Sequence, residues 1–464
     1  MGGGKRWQNG ALFAYEMFMS STTDSKPSHG NHWPIVIALV AGVGVGMILQ
    51  KFAHPAEGGA PEWIKGVIEF CRFISDLFLR GLKMVIVPLV VASIISGIAG
   101  LKSLDGFARM GLKTWAYYIL GSLVAVCVGL FMVNTIKPGL GDDGKPNTTL
   151  KAAMDAALKG KNANEVADVM KKADGGAASL LDIIRRAIPT NIIQACAEGD
   201  LLAIILVSIL FAVAMVLLPT GPPVVLRDFF NQLTDVMTLI TTWIMKFTPL
   251  AVFCLVIPAI AEVGVGVLQN LVPYVLTVVG ALLLHTLVIL PLVLKAAGIS
   301  PVQHFKNMSD SLLMSFSTAS SSATIPVTMR CIREESGVSE RVASFVIPLG
   351  ATVNMNGTAL YECVVVVFAA QVLGIDLSLT QQFLIVLLAL VSSIGVAGIP
   401  AASLVAIIII MQNAGFSEDA IKASLGLILT IDRPLDMART TVNVFGDTVG
   451  AVVIAKSEGE KLDS

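Results

Sequence analysis

The chain of 464 residues is 55% hydrophobic and 14% charged, with a net charge of −1 and a mean hydropathy of +0.79. Soluble domains carry roughly 25% charged residues, so a water-soluble globule is excluded, and the balanced charge leaves no basic surface for nucleic acid. The partner that this composition requires is a lipid bilayer.

Residues 1–32 are polar and rich in Gly and Ser, and read as a disordered tail. No cleavable signal peptide is visible; the first long apolar run is Trp33–Leu49, and others follow near 64–100, 110–137, 201–218, 236–262, 268–297, 342–372, 383–412 and 425–455. The run at 64–100 has a helical period interrupted by Arg72, Asp76, Arg80 and Lys83, which predicts one long tilted helix. Between 138 and 200 the chain turns polar, as an extramembrane insertion would, and Leu201–Leu218 stops at a Pro/Gly-rich break, 219–223. Basic residues gather in three short loops: Lys102, Arg109 and Lys113; Lys295 and Lys306; Arg330, Arg333 and Arg341. Placing these loops inside puts both termini of a multi-pass cell-membrane protein in the cytoplasm and the insertion outside. The six cysteines, Cys71, Cys127, Cys196, Cys254, Cys331 and Cys363, form no C-x-x-C pair and read as buried apolar thiols. His285, in mid-segment, reads by default as a satisfied buried histidine, the alternative being a proton relay.

Two segments look broken rather than spanning. Ser309–Arg330 crowds Ser315, Ser317, Thr318, Ser320, Ser321, Ser322 and Thr324 ahead of Pro326. Ser392–Ser403 sets small and Gly/Pro-containing residues between apolar arms. Backbone exposed at membrane depth is tolerated only against protein or a wet site, so each is a candidate re-entrant hairpin. Each precedes a long helix, and such a repeat marks a transporter's binding site.

The strongest signal lies in Ile431–Ala455. Between apolar flanks stand Asp432, Arg433, Asp436, Arg439, Thr440, Asn443 and Asp447. Asp436, Thr440, Asn443 and Asp447 fall on one helical face, Arg439 borders it and Asp432 extends it. A charge at mid-bilayer costs on the order of 3 kcal/mol, so such a stripe faces protein, water or ligand. Asp436 suits an ammonium, Arg439 a carboxylate, and Asp447 with Asn443 a small hard cation. The stripe thus suggests an acidic amino acid plus an ion. Asn354-Met355-Asn356-Gly357-Thr358, inside an apolar segment, is a candidate unwound stretch whose carbonyls turn toward an ion.

Three motifs carry a resemblance: Ser320–Thr328, Asn354–Thr358 and Asp436–Asp447. They are similar, in that order, to the first re-entrant hairpin, the unwound seventh helix and the eighth helix of the glutamate/aspartate and neutral amino-acid transporters, the dicarboxylate/amino acid:cation symporter family to which the excitatory amino acid transporters belong. The likeness runs from about Trp33 to Lys456. It implies an all-α membrane protein of eight transmembrane helices plus two re-entrant helical hairpins, with inverted repeats, a scaffold and an elevator-type transport domain, assembled as a homotrimer. The expected division is a tail at 1–32, scaffold helices 1–2 at 33–109 and transport-domain helix 3 at 110–137. The extracellular insertion with scaffold helices 4–5 follows at 138–262, the rest of the transport domain at 263–456 and a C-terminal tail at 457–464. The resemblance further implies that Asp436 takes the substrate ammonium and Arg439 its side-chain carboxylate, with Thr358, Thr440, Asn443 and the backbone near Ser321 and Ser322 adding contacts. One sodium site would use Gly350, Asn354, Asn443 and Asp447, and a second the backbone near Thr352, Ser393, Ile394 and Val396. The 392–403 hairpin would be the outer lid.

The chain departs from the family pattern at a third cation site, where Gly121 and Asn356 stand in place of a Thr and an Asp beside Ser122; the expectation is a site that is absent or independent of sodium. Glu362 matches the proton-carrying glutamate of the animal members, so protons join sodium as expected co-transported ions. An additional arginine of the family, at the positions of Ala319 or Met437, is missing, and Arg433, one turn before Met437, is the candidate substitute, the alternative being a charge at the cytoplasmic rim. The reading is a sodium-coupled importer of aspartate or glutamate, not an enzyme. The rivals are a proton-coupled acidic amino-acid or C4-dicarboxylate carrier and a substrate-gated anion channel.

Overall fold

The computed structural model describes residues 33–53, 61–99, 105–141, 143–159, 166–167, 169–170, 188–219, 222–261, 265–395, 403–429 and 431–462. Among them the regular structure is helical, with one isolated bridge, Leu140–Pro146, and no strand. Helices α1 (Trp33–Ala53), α2 (Glu62–Ala99), α6 (Leu201–Leu217), α7 (Val224–Met245) and α8 (Thr248–Ala261) pack on one another. Between these in sequence lie α3 (Asp105–Ile136), α4 (Thr148–Lys159) and α5 (Ile192–Glu198). The second half continues with α9 (Val265–Leu284), which runs through a π-helical turn, His285–Ile289, into α10 (Leu290–Ala296), and then α11 (Pro301–Asn307). After it come α12 (Ser309–Thr318), α13 (Ser321–Glu334), α14 (Glu340–Val353), α15 (Asn356–Leu373), α16 (Leu379–Gly395), α17 (Ser403–Asn413), α18 (Glu418–Leu429) and α19 (Asp432–Ser457). The tail at 1–32, residues 142, 160–165, 168 and 171–187 of the insertion and the 396–402 centre of the second hairpin, Val396 included, lie outside the described residues.

Glu62–Ala99, Gly106–Ile136, Leu271–Ala296 and Glu340–Leu373 are each long and apolar enough to cross a bilayer. The 64–100 run is one helix, as its period predicts. The run at 236–262 is not: α7 and α8 meet at a 61° bend, where Lys246 and Phe247 interrupt the helix. On α1, Gly42 and Gly46 lie on one face and let α8 approach. A β-carbon at Gly46 would sit 2.8 Å from Cβ of Ile260, so these two helices pack closer than larger residues allow.

α19 is the axis of the second half, with α12, α13, α14 and α15 packed around it and α3 and α9 behind α15. The first broken segment is a helical hairpin. α12 ends at Ala319, whose φ of +49° is unusual for a residue with a β-carbon, and Ser320 then caps α13, its Oγ accepting from the Ala323 amide at 3.2 Å. The arms are tied by Ser311–Thr328 (2.7 Å), by Arg330 donating to Asp310 (2.9 Å) and by Thr318–Thr324 (3.4 Å). From the insertion, α4 packs on α18 and buries Leu150 and Met154. Four cysteines are buried as expected, but Cys127 is exposed and Cys196 half-buried.

The C-terminal turn clasps the ends of two other helices. Glu458 accepts from Arg109 (2.8 Å) and Lys113 (2.6 Å) of α3, and Glu460 from the Ser339 amide (3.0 Å) and Arg341 (3.3 Å) at the start of α14. The Arg109 hydrogen bond, followed by Lys113, draws the Glu458 carboxyl down to about 2. A lowered carboxyl contributes its stabilisation in full above its unfolded value and loses it only as pH falls through the folded one. Acidifying from pH 7 to 5 therefore leaves the protection factors in the first turns of α3, exchange measured against its intrinsic rate at each pH, unchanged, whereas Glu458→Gln lowers them at pH 7.

Candidate functional site

The site forms where the break between α14 and α15 meets the charged stripe of α19. At Asn354–Met355 the helical path is interrupted and the first amides of α15 need acceptors. Asn443 supplies one from α19: its Oδ1 accepts from the Gly357 amide at 2.7 Å and the Thr358 amide at 3.3 Å, while its Nδ2 donates to Thr358 Oγ1 at 3.0 Å. The approach is close because position 357 is glycine; a β-carbon there would lie 2.5 Å from the Arg439 carbonyl oxygen.

Arg439 is fully buried. Its Nη1 donates to Asp432 and its Nη2 to Asp436, each at 2.9 Å, and its Cζ lies 3.9 Å above the centre of the Tyr361 ring. The Tyr361 hydroxyl donates to the same Asp432 oxygen at 3.0 Å. A guanidinium can be buried only when paired and hydrogen-bonded, and here two carboxylates and an aromatic face do this. Sequence periodicity put Asp432 and Asp436 beside Arg439; it missed Tyr361, whose only signal was its place next to Glu362. Thr440 is buried on the same stripe.

One turn deeper, Asp447 accepts from Asn354 Nδ2 at 2.8 Å. Gly350 faces it so closely that a β-carbon would lie 2.5 Å from Asp447 Oδ1 and 2.7 Å from the Tyr118 hydroxyl. Tyr117 and Tyr118 of α3, unnoticed as site residues in the sequence, donate to the carbonyls of Gly446 (3.0 Å) and Val346 (2.6 Å). Gly350, Asn354, Asn443 and Asp447 thus gather around the break, while Thr352 and Ser393 are buried on α14 and α16, which pack together. Ile394 lies one residue before the end of α16 at Gly395. The third expected cluster also assembles. Ser122 Oγ donates to Asn356 Oδ1 at 2.9 Å, and a β-carbon at Gly121 would stand 3.4 Å from Asn356 Nδ2 and 4.0 Å from Asn354 Oδ1. Among the described residues Asn356 Nδ2 and Asn354 Oδ1 have no hydrogen-bond partner.

Glu362 is fully buried and not bonded to a base; its Oε2 accepts from Ser392 of α16 at 2.9 Å. Ala319 and Met437 share one small apolar cluster with Ile35, Val252 and Val256. This brings the tip of the first hairpin, with buried Ser321 and half-buried Ser322, onto α19, and makes the two positions expected for an additional arginine spatial neighbours. Arg433 is half-buried in the first turn of α19. His285 departs from its default reading: it is buried, yet neither ring nitrogen has a partner among the described residues.

The buried charged side chains among the described residues are Asp432, Asp436, Asp447, Glu362 and Arg439. Asp432 and Asp436 pair with the guanidinium, while Asp447 meets Asn354 and Glu362 meets Ser392.

Comparison with known proteins shows the family. Residues 32–457 match the model of the sodium:dicarboxylate symporter family. The chain is 32% identical to a proton/sodium-glutamate symport protein of Bacillus caldotenax, over 93% of this chain and 95% of the relative. It is 31% identical to a proton/glutamate-aspartate symporter of Escherichia coli (92% of each) and 31% identical to excitatory amino acid transporter 3 of Oryctolagus cuniculus (95% of this chain, 88% of the relative). These are membrane transporters and not enzymes. The chain belongs to the sodium:dicarboxylate symporter family.

Proposed function

We propose that the protein is a secondary active symporter that imports aspartate or glutamate with sodium, with an altered third cation site and proton coupling through Glu362. The observation that carries this is the Asp432–Arg439–Asp436 arrangement at the α14–α15 break. Asp436 and Arg439 hold each other when no ligand is between them. An acidic amino acid replaces that pair charge for charge: its side-chain carboxylate takes the Arg439 fork, its ammonium takes Asp436, and Asp432 keeps the guanidinium in place. Thr358, Thr440, Asn443 and the hairpin tip at Ser321 and Ser322 line the remainder. A dicarboxylate without an ammonium leaves Asp436 unpaired, and a neutral amino acid leaves Arg439 without its carboxylate, which disfavours both as main cargo.

Sodium is a second cargo. Asp447 with oxygens of Gly350, Asn354 and Asn443 offers the hard ligands it needs, and a second ion uses the backbone near Thr352, Ser393, Ile394 and Val396. At the third cluster Asn356 presents a neutral amide, and its oxygen is already taken by Ser122. This supports fewer than three sodium ions per cycle.

The fold reading has eight spans and two re-entrant hairpins, both termini cytoplasmic, in a homotrimer. The scaffold comprises 33–109 and helices 4–5 of 138–262. The transport domain, helix 3 at 110–137 with 263–456, moves past it in an elevator-type cycle. The hairpin α16–α17 is the outer lid; among the described residues no hydrogen bond joins its arms, in contrast to the tied arms of α12 and α13. The printed names of two relatives include proton coupling, so a proton-driven carrier is the second reading.

Radiolabelled aspartate uptake into proteoliposomes, with sodium and pH gradients imposed independently, decides between them. Uptake driven by the sodium gradient alone is expected; uptake indifferent to sodium, or substrate-gated current without saturable uptake, sinks the sodium-symport reading. Arg439→Ala leaves Asp432 and Asp436 as uncompensated buried acids, a loss of about 3 kcal/mol or more, roughly a hundredfold rise in KM for aspartate. Asn356→Asp adds a hard anionic ligand beside Ser122 and steepens the sodium dependence of uptake; an unchanged Hill slope counts against the altered third site.

A further inference from the structure

Ser392 belongs to none of the expected substrate or ion contacts, yet it makes the polar tie between the lid's first arm and the core of the site. Among the described residues, its bond to Glu362 is the hydrogen bond that joins α16 to α15. The Ser392 oxygen lies 2.9 Å from Glu362 Oε2 and 3.3 Å from the Ala389 carbonyl of its own helix. One hydroxyl proton thus stands between two acceptors.

The two protonation states of Glu362 use this triad in opposite directions. When Glu362 is ionised, the hydroxyl donates to Oε2 and is the carboxylate's hydrogen-bond donor. When Glu362 is protonated, its own O–H donates to Ser392 Oγ, and the serine proton turns to Ala389. Both states are satisfied with the same heavy-atom positions. Other groups around Glu362 leave this role to the serine. From α19 the facing charge is Arg439, already bonded to Asp432 and Asp436. Tyr274 of α9 faces the neighbouring Tyr361, and Cys127 of α3 the neighbouring Cys363. Ser403 of α17, on the other arm, is buried with its hydroxyl unpartnered among the described residues. The other carboxylate oxygen of Glu362, Oε1, also has no partner among them.

We propose that Ser392 is the positioning residue through which the α16–α17 hairpin registers whether Glu362 carries a proton. This rests on the proton-coupling role proposed for Glu362. The serine sits three residues before the end of α16 at Gly395, and its tie to Glu362 is charge-assisted when the acid is ionised and weaker when it is protonated, so the proton sets how firmly this arm is held to α15.

The test is the pH dependence of aspartate uptake by the full-length protein in proteoliposomes from pH 5 to 9. Removing a donor that favours the ionised form lets Glu362 keep its proton to higher pH. Ser392→Ala therefore moves the midpoint of the profile upward by about one pH unit, while Ser392→Thr, which keeps the hydroxyl, stays at the wild-type midpoint. Adding Ser392→Ala to Glu362→Gln changes nothing further. An unmoved midpoint in Ser392→Ala overturns the proposal. If that variant does not transport, equilibrium aspartate binding to the purified protein over the same pH range is read for the same shift. A Glu362→Gln variant that retains the wild-type profile overturns instead the proton-coupling reading beneath it.

Discussion

The structure depends on how one buried guanidinium is held. Arg439 sits inside a membrane protein, where an unpaired charge is prohibitive, and two elements supply its neutralisation. α19 contributes Asp432 and Asp436 from its own face, α15 brings the Tyr361 ring under the guanidinium, and the Tyr361 hydroxyl fixes the shared Asp432 oxygen. This needs α15 to lie flush against α19, and glycine at 357 permits it. The same approach lets Asn443 receive the amides that the helix break exposes. The interrupted helix and the charged stripe are thus one device: each provides the partners without which the other could not be buried.

The charge balance then dictates what the site does. One guanidinium cannot offset Asp432, Asp436, Asp447 and Glu362, so a closed site needs positive charge from outside or protons on its carboxyls. The positions separate the candidates. Asp436, bonded to the exchangeable fork of Arg439, suits an ammonium that arrives with its own carboxylates. Asp447, bonded to the Asn354 amide and closely faced by Gly350, would suit a desolvated metal ion. Glu362, bonded only to a hydroxyl, suits a proton. The proposed cargo and coupling ions would all answer to this one electrostatic deficit.

Much of this was legible in the sequence because it is local. The stripe is a helical period read within one segment, and the first hairpin announced itself by serines ahead of Pro326, although its break at Ala319–Ser320 came only from the structure. The 62–99 helix followed from its period. What stayed hidden joins residues distant along the chain. The Asn354–Asp447, Tyr361–Asp432 and Ser392–Glu362 bonds span 93, 71 and 30 residues, and no spacing rule reaches that far. The bend between α7 and α8 was masked because Lys246 and Phe247 interrupt an otherwise continuous apolar run. The docking of α4 onto α18 was masked because the insertion around it is polar. His285 was misjudged on a default, since burial alone says nothing of whether a ring nitrogen finds a partner.

The two hairpins show how a repeated local pattern acquires different roles. Both sequences are broken at membrane depth, yet α12 and α13 are stitched by a hydroxyl pair, an ion pair and a second hydroxyl contact, so separating them leaves several buried polar groups unsatisfied at once. In the described part of α16 and α17 no such stitching exists; the first arm is instead fastened sideways, Gln382 accepting from Asn134 of α3 at 3.0 Å and Ser392 donating to Glu362. A hairpin whose arms hold each other moves as a unit. One whose arm is held by its neighbours can part from them when those bonds are released, and one of the two depends on the protonation of a buried acid. The asymmetry lies in which polar residues the arms carry: on α16 one of them, Ser392, meets the buried carboxyl of Glu362.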